Sequence, residues 1–342
     1  MSVRAWQATL SCFLALTAVF LCVFLVPSRK PVVAVAAENH ATPFDPAAWG
    51  DDHVGKPLPE YVESGECLFC HRADVGTTWA KNRHNRTIRD AEADQPAVQA
   101  LRADATLQRV AGDVELVLGH ERHNRFLKRS EDYGKLDLLS VGASRGRGGR
   151  WRLSPHEAVH WDTETFARSC AGCHATAVDP EAHTFSAVSL DCFTCHGDAP
   201  VEHANEPELM PLAKARNDPP RVVTSICASC HIRFGRSKST GLPYPNNFVA
   251  GDNLFRDFQV DFSLADDESI NPGDRHVLAN VRDVVLLGRE EMTCLSCHDV
   301  HTSSTARHRD LADRQYCQIC HEPGQSKKLH HTYEVHSELC EY

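Results

Sequence analysis

CLFCH at residues 67–71 is the first of six runs in which two cysteines, two residues apart, are followed at once by histidine. The other five are CAGCH at 170–174, CFTCH at 192–196, CASCH at 227–231, CLSCH at 294–298 and CQICH at 317–321. CxxCH is the attachment motif of c-type haem. Two cysteines on about one turn of helix can form thioethers to one porphyrin, and the adjacent histidine can bind its iron.

The six motifs therefore predict six covalently bound haem c groups. The predicted attachment residues are Cys67, Cys70, Cys170, Cys173, Cys192, Cys195, Cys227, Cys230, Cys294, Cys297, Cys317 and Cys320, and the predicted proximal iron ligands are His71, His174, His196, His231, His298 and His321. The same cysteines could instead form Cys₄ zinc sites. A zinc ribbon makes no use of a histidine directly after the second cysteine, yet every copy has one, so the pattern favours haem.

Composition sets limits on the fold. The chain has 342 residues, of which 42% are hydrophobic and only 7% aromatic, and its mean hydropathy is -0.37. This is a thin core for such a length, and large apolar porphyrins would replace much side-chain burial. We therefore predict a mainly α fold with high loop content, in which short helices wrap around closely packed haem pairs.

Spacing between the motifs adds detail to that prediction. Only 17 residues separate motifs 2 and 3, and 18 separate motifs 5 and 6, which predicts close pairs there. The 98 residues between motifs 1 and 2 have room for other structure. Apolar positions predict a helix within 92–112 and strands near 114–118 and 135–141. A further helix is predicted over 277–287, after a long irregular loop.

The N-terminus has the pattern of an export signal. Residues 11–26 are apolar or small, Arg4 precedes them, and Ala34-Val35-Ala36 forms a small-x-small site. We predict a signal peptide over 1–36, with an uncleaved membrane anchor as the alternative, then a linker over 37–65 and a hexahaem domain over 66–342. Because c-type haem is attached outside the cytoplasmic membrane, the protein is expected to be exported, to a periplasm in a bacterium.

The supply of ligands favours histidine on the second face of each iron. Three methionines are present, and one of them is Met1 in the export segment. Fifteen of the 21 histidines remain after the six proximal ones are assigned. Methionine raises the reduction potential of haem iron relative to a second histidine, so the chain is predicted to carry mostly bis-histidine haems of low potential.

One family resembles this pattern. CLFCH followed by Trp79 and His84 resembles the CxxCH…WxxSxH segment of multihaem cytochromes related to the tetrahaem cytochrome c that accepts electrons from hydroxylamine oxidoreductase, with Asn82 in place of serine. The resemblance continues through CAGCHAT, DCFTCHG, ICASCH and MTCLSCHDVH, and spans about 67–336. It implies a mainly helical fold with stacked haem pairs. It also implies distal iron ligands at His84, His203 and His301, and further candidates at His120, His276 and His331.

Two classes of function follow from these residues. Fully ligated, touching haems would make an electron-transfer protein, whose partners would be redox proteins, including a membrane quinol oxidase or a reductase complex. A multihaem oxidoreductase would instead need one five-coordinate haem acting on nitrite, hydroxylamine or a similar small substrate. A subunit that holds haems within a larger respiratory complex is a third option. The net charge of -10 argues against nucleic-acid binding and suits a basic partner, or simple solubility.

We expect the intact mass of the exported protein to exceed that of its polypeptide by six haem groups, because thioether bonds survive denaturation. Mass spectrometry of the denatured protein measures this directly. A mass without any added tetrapyrrole, in a colourless protein that contains zinc, would contradict the assignment.

Overall fold

A computed structural model describes residues 58–92, 95–155, 158–285 and 293–302. All of them belong to one compact unit, Asp45–Tyr342. The predicted export segment 1–36, the sixth motif at 317–321 and the candidate ligand His331 lie outside the described residues. No helix in the described ranges is long and apolar enough to cross a membrane.

Ten α-helical segments occur in the described ranges, most of them short. They are α1 Ser64–His71, α2 Thr77–Trp79, α3 Pro96–Ala103, α4 Gln108–Ala111, α5 Thr165–Ser169, α6 Ala171–His174, α7 Cys192–His196, α8 Pro220–His231, α9 Pro272–Val285 and α10 Cys294–Cys297. A π-helical turn, Arg72–Gly76, joins α1 to α2. The longer helices α3 and α8 begin with proline in the first turn, where the missing N–H has no intrahelical partner to lose.

Between motifs 1 and 2 the chain forms a six-stranded antiparallel sheet. Its strands are β1 Ile88–Asp90, β2 Leu116–Gly119, β3 His123–Arg129, β4 Leu136–Arg145, β5 Trp151–Leu153 and β6 Trp161–Asp162. They are ordered β1-β2-β3-β4-β5, and β6 pairs with the first half of β4. Two small antiparallel pairs complete the strands: β7 Ala175–Asp179 with β8 Thr184–Val188, and β9 Arg236–Ser237 with β10 Phe258–Gln259.

Both faces of the large sheet are buried. On one face, Val117, Phe126 and Leu139 pack against Val98 and Leu101 of α3. The other face carries a second cluster that reaches Phe166 of α5 and Ala171 of α6. Successive residues of a strand point to opposite faces, so Val117 and its neighbours Leu116 and Leu118 enter different clusters. Since Ala171 lies inside motif 2, the sheet is a platform for that motif.

The prediction of a mainly α fold is wrong. The described chain contains substantial antiparallel sheet, and one strand, β4, is ten residues long. Because β4 is buried along both faces, its residues do not alternate between buried and exposed, so period-two patterning understates it. The strands predicted near 114–118 and 135–141 correspond to β2 and β4. The helix expected within 92–112 is present as α3 and α4, with Val98, Leu101 and Leu107 fully buried.

The remaining chain is organised by a hairpin and a helix pair. Strands β7 and β8 connect motif 2 directly to motif 3, so the short gap returns the chain to the same end of the hairpin. Further on, α8 packs against α9 around Ala228, Leu254, Phe258 and Leu278. The helix predicted over 277–287 corresponds to α9, which begins earlier, at Pro272.

We expect Phe126→Ala to lower the free energy of unfolding by about 3–5 kcal/mol, because it empties a fully buried aromatic site in the sheet. Tyr133→Ala is the matched control, since its ring is 90% exposed in the turn between β3 and β4, and should change stability by less than about 0.5 kcal/mol. Denaturant unfolding of the two purified proteins gives both values. Equal effects would contradict the assignment of Phe126 to the core.

Candidate functional site

Each described CxxCH motif lies at the end of a short helix. Helix α1 ends at His71, α6 at His174, α7 at His196 and α8 at His231, while α10 ends at Cys297, directly before His298. Two helices have side-chain caps at their start: Asp191 accepts a hydrogen bond from the Phe193 amide at 3.0 Å, and Thr293 forms a capping box with Ser296. In helical geometry residues three apart lie on one side, so the two cysteines of a motif face the same way.

Thiols of different motifs contact one another. The hydrogen-bonded pairs are Cys67 with Cys192, Cys173 with Cys230, and Cys227 with Cys294. In each pair the hydrogen bond raises the pKa of the first thiol and lowers that of the second, and that of Cys192 falls to about 7. These contacts place motif 1 beside motif 3, motif 2 beside motif 4, and motif 4 beside motif 5.

Motifs 2 and 3 are joined by hydrogen bonds across the base of the β7–β8 hairpin. The Ser189 amide donates to the carbonyl of His174 at 3.0 Å. The hydroxyl of Thr176 donates to the Ser189 carbonyl and lies 3.0 Å from the hydroxyl of Thr194. The close approach expected from the 17-residue gap is therefore present, and the thiol contacts add neighbours that the gaps did not indicate. The partner of motif 5 in the predicted pair, motif 6, lies outside the described residues.

Burial keeps the histidines of this region neutral. Desolvation lowers the pKa of His84 to about 4 and that of His174 to about 4. It also lowers the pKa of His196 and that of His231. Neutral imidazole is the form that binds a metal ion, so these rings are ready to act as ligands at neutral pH.

Two histidine pairs join a CxxCH motif to a histidine from elsewhere in the chain. The ring centroids of His84 and His231 are 6.1 Å apart with an interplanar angle of 89°. Those of His196 and His301 are also 6.1 Å apart, at 24°. One metal ion bound by two imidazoles on opposite sides, with bonds of about 2 Å, separates the ring centres by about 6 Å. The centroid separations of both pairs match that spacing.

Several of these rings have their other nitrogen held by an acceptor. His71 Nδ1 lies 2.9 Å from Asp74 Oδ2, and His196 Nδ1 lies 2.7 Å from the Pro211 carbonyl. His203 Nδ1 lies 2.6 Å from the carbonyl of Pro200. A hydrogen bond from Nδ1 fixes the tautomer and leaves Nε2 for a metal. No group of three or more His, Cys, Asp or Glu side chains in the described ranges is placed to bind a metal ion by itself.

The other predicted distal ligands have different surroundings. His120 lies between β2 and β3, and its buried Nε2 has no hydrogen-bond partner there. Burial lowers the pKa of His120, and the positive charges of Arg89 and Arg83 lower it further. His203 lies in the short 3₁₀ turn Val201–Ala204. His276 lies on α9, with Asn280 Nδ2 3.1 Å from its Nε2. The rings of His84 and His301 each have a centroid 6.1 Å from that of a proximal histidine.

Tyr244 shapes the space between motifs 2, 3 and 4. Its ring lies against Gly172, between the two cysteines of motif 2, and its hydroxyl donates to the Ala167 carbonyl at 2.5 Å. Burial raises the pKa of Tyr244 to about 12. A pocket lined by Gly172, Tyr244, Phe193 and Cys230 opens there. Sequence reasoning missed Tyr244, because 69 residues separate it from motif 2 and no local pattern marks it.

Two further residues of the site, Tyr61 and Asn82, were not predicted from the sequence. The Tyr61 hydroxyl donates to Asp191, which precedes motif 3, and the Tyr61 ring packs edge-on against Phe193. Burial raises the pKa of Asp191. The side chain of Asn82 is fully buried and holds two separate loops together. The sequence singled out Asn82 only as a departure from a serine.

Comparison with known proteins adds one match. No protein-family model matches the chain, and no curated protein matches it in sequence. Among solved structures, the undecahaem cytochrome from the S-layer of Carboxydothermus ferrireducens matches with a TM-score of 0.42 and 16% sequence identity, over 82% of this chain and 46% of that one. This chain thus spans less than half of that cytochrome. At so low a TM-score and identity, the assignment of function depends on the chain's own cysteines and histidines.

We expect Gly172→Ala to reduce haem loading at motif 2, because the new Cβ would lie 2.1 Å from Tyr244 Cγ and one of the two must move. Gly65→Ala is the matched control: a methyl group added at Gly65, in α1, would have no neighbour within 4 Å, and alanine favours helix by up to about 1 kcal/mol. Haem per chain, from absorbance and intact mass, should fall only in the first variant. Full loading of Gly172→Ala would show that Tyr244 does not shape this site.

Proposed function

We propose that this chain is an exported electron-transfer protein that carries six covalently attached c-type haems, most of them with two histidine ligands. The observation that carries the proposal is the pair of 6.1 Å separations between proximal and non-motif histidines. Each separation matches the spacing of the ring centres of two imidazoles that bind one iron atom. When bound, haem supplies an iron atom that cycles between ferric and ferrous states.

The histidine pairs support specific ligand assignments. With haems numbered by their motif, His84 is proposed as the distal ligand of haem 4, opposite His231, and His301 as that of haem 3, opposite His196. His301 follows motif 5 by only three residues, so it serves a haem other than that of its own motif. His120, His203, His276 and His331 remain proposed distal ligands for the other haems, and motif 6 with Cys317, Cys320 and His321 is proposed to bind the sixth.

The arrangement of motifs supports a continuous path for electrons. Thiol contacts join motif 1 to 3, 2 to 4 and 4 to 5, and the hairpin joins 2 to 3. Haems attached to neighbouring thiols would lie close enough to exchange electrons without substrate chemistry. The chain's own contribution is therefore to hold the imidazoles, exclude water from them and fix the spacing of the motifs.

Motif 1 is proposed as the point of exchange with a redox partner. Helix α1 has no buried residue, Cys70 is exposed, and the His71 side chain is 49% exposed. Phe69, between the two cysteines, is 89% exposed. The acidic net charge of the chain suits a basic partner protein. The proposed partners are the donor and acceptor redox proteins, including a quinol oxidase or reductase complex, and the proposed location is the periplasm.

We expect His84→Ala and His301→Ala each to convert one low-spin haem to high spin, because the iron loses a strong-field imidazole on one face. Electron paramagnetic resonance of the ferric protein counts the high-spin haems, and intact mass verifies that all six remain attached. His123→Ala is the matched control, since His123 is exposed at the start of β3 and should leave every haem low-spin.

Two outcomes would contradict parts of this proposal. Fully low-spin spectra in both histidine variants would refute the ligand assignments. A high-spin signal in the unmodified protein that shifts with nitrite or hydroxylamine would favour the alternative, an oxidoreductase with one five-coordinate haem.

A further inference from the structure

Asn82 is a buried polar side chain with its hydrogen bonds directed at two different loops. The side chain has no exposed surface. Its Oδ1 accepts from the backbone N–H of His84 at 2.8 Å. Its Nδ2 donates to the carbonyls of Val300 and Thr302, at 2.7 Å and 2.5 Å. Both hydrogens of the amide and its oxygen are thus in use.

The hydrogen-bond partners of Asn82 are His84 itself and the two residues that flank His301. His84 and His301 are both proposed as distal ligands. One side of the amide holds His84 by its own backbone. The other side holds the residues immediately before and after His301, more than 200 residues further along the chain. Both donors of one amide are therefore committed to the loop that presents His301.

Trp79 also contacts the loop that carries His301. Its ring is 8% exposed and packs edge-on against the ring of His301, with centroids 6.4 Å apart. The backbone amide of Asn82 donates to the Trp79 carbonyl at 2.9 Å, which fixes the turn between them. On the far side, the carbonyl of His84 accepts from the Leu190 amide, next to motif 3. The segment 79–84 is thereby fixed at several points around both imidazole pairs.

We infer that Asn82 is a positioning residue for two haems at once: it sets the distal imidazole of haem 4 through His84 and that of haem 3 through the loop around His301. The inference rests on the ligand assignments proposed above. Its physical basis is the free-energy cost of leaving a buried amide without hydrogen-bond partners. This cost couples the positions of the two loops. A serine has a single hydroxyl hydrogen and cannot donate to both carbonyls while it accepts from His84.

The test uses two substitutions with different predicted effects. Asn82→Asp keeps an oxygen to accept from the His84 N–H but places its second oxygen against the carbonyls of Val300 and Thr302. It should release the His301 loop and spare His84, so that one haem becomes high-spin. Asn82→Ala removes all three hydrogen bonds and should release both loops, so its high-spin ferric signal should be about twice that of Asn82→Asp.

A double variant identifies the haem concerned. If Asn82→Asp acts through His301, the variant that combines it with His301→Ala should have no more high-spin haem than His301→Ala alone. The variant that combines Asn82→Asp with His84→Ala should have twice as much high-spin haem as either single variant. Added imidazole should restore low spin in each case, because it replaces the displaced side chain. Asn82→Ser is a milder third variant for use if Asn82→Ala fails to accumulate with six haems.

Asn246→Ala is the matched control for the loss of a buried amide. Asn246 is 7% exposed, and its Nδ2 donates to the Ser239 hydroxyl, in a loop without a proposed ligand. It should lower the melting temperature and leave the spin state unchanged. Low-spin spectra in all Asn82 variants, with high-spin signals in His84→Ala and His301→Ala, would overturn the role of Asn82 and leave the proposed function intact. Low-spin spectra in the histidine variants themselves would instead refute the ligand assignments.

Discussion

Two pairs of imidazoles with ring centroids 6.1 Å apart, each pair brought from segments more than a hundred residues apart in sequence, are the arrangement on which the proposed function depends. A CxxCH motif supplies one ligand and the covalent bonds, but the second ligand must come from another part of the chain. Each proposed bis-histidine site is therefore a long-range connection as well as a redox centre, and it would connect His84 to motif 4 and His301 to motif 3.

Such connections are useful to a chain with few aromatic residues. The motif helices α6, α7 and α10 have only four or five residues, too short to be stable in isolation. They are held by the β7–β8 hairpin and, in α7 and α10, by side-chain caps. Bound haem would add apolar surface between them. In the proposed haem-bound protein, side chains and haem would thus contribute to one shared core.

The large sheet is stabilised in a different way. It has its own packed clusters on both faces, formed by residues such as Phe126 and Leu139 on one side and Leu127 and Phe166 on the other. Because Ala171 of motif 2 packs into the second cluster, this sheet anchors motif 2 to a body that is stable through ordinary hydrophobic burial. The other described motifs, 1, 3, 4 and 5, lie on short helices that contact one another.

The candidate attachment cysteines and proximal histidines could be predicted from the sequence, because a CxxCH motif consists of neighbouring residues on one helical turn. The same holds for α3, whose apolar positions at Val98 and Leu101 follow the helical period. By resemblance, the sequence also proposed His84, His203 and His301 as distal ligands among fifteen spare histidines, and the rings of His84 and His301 lie beside those of proximal histidines. It understated the sheet, because β4 is buried on both faces and so lacks the alternation that identifies a strand.

Only the tertiary structure decided which histidine faces which motif, and that Asn82 joins two of them. Those relations depend on contacts between residues 105 to 220 positions apart, such as His196 with His301 and Asn82 with Thr302. No local pattern encodes such distances, because a hydrogen bond or a metal pair depends on position in space and not on separation along the chain.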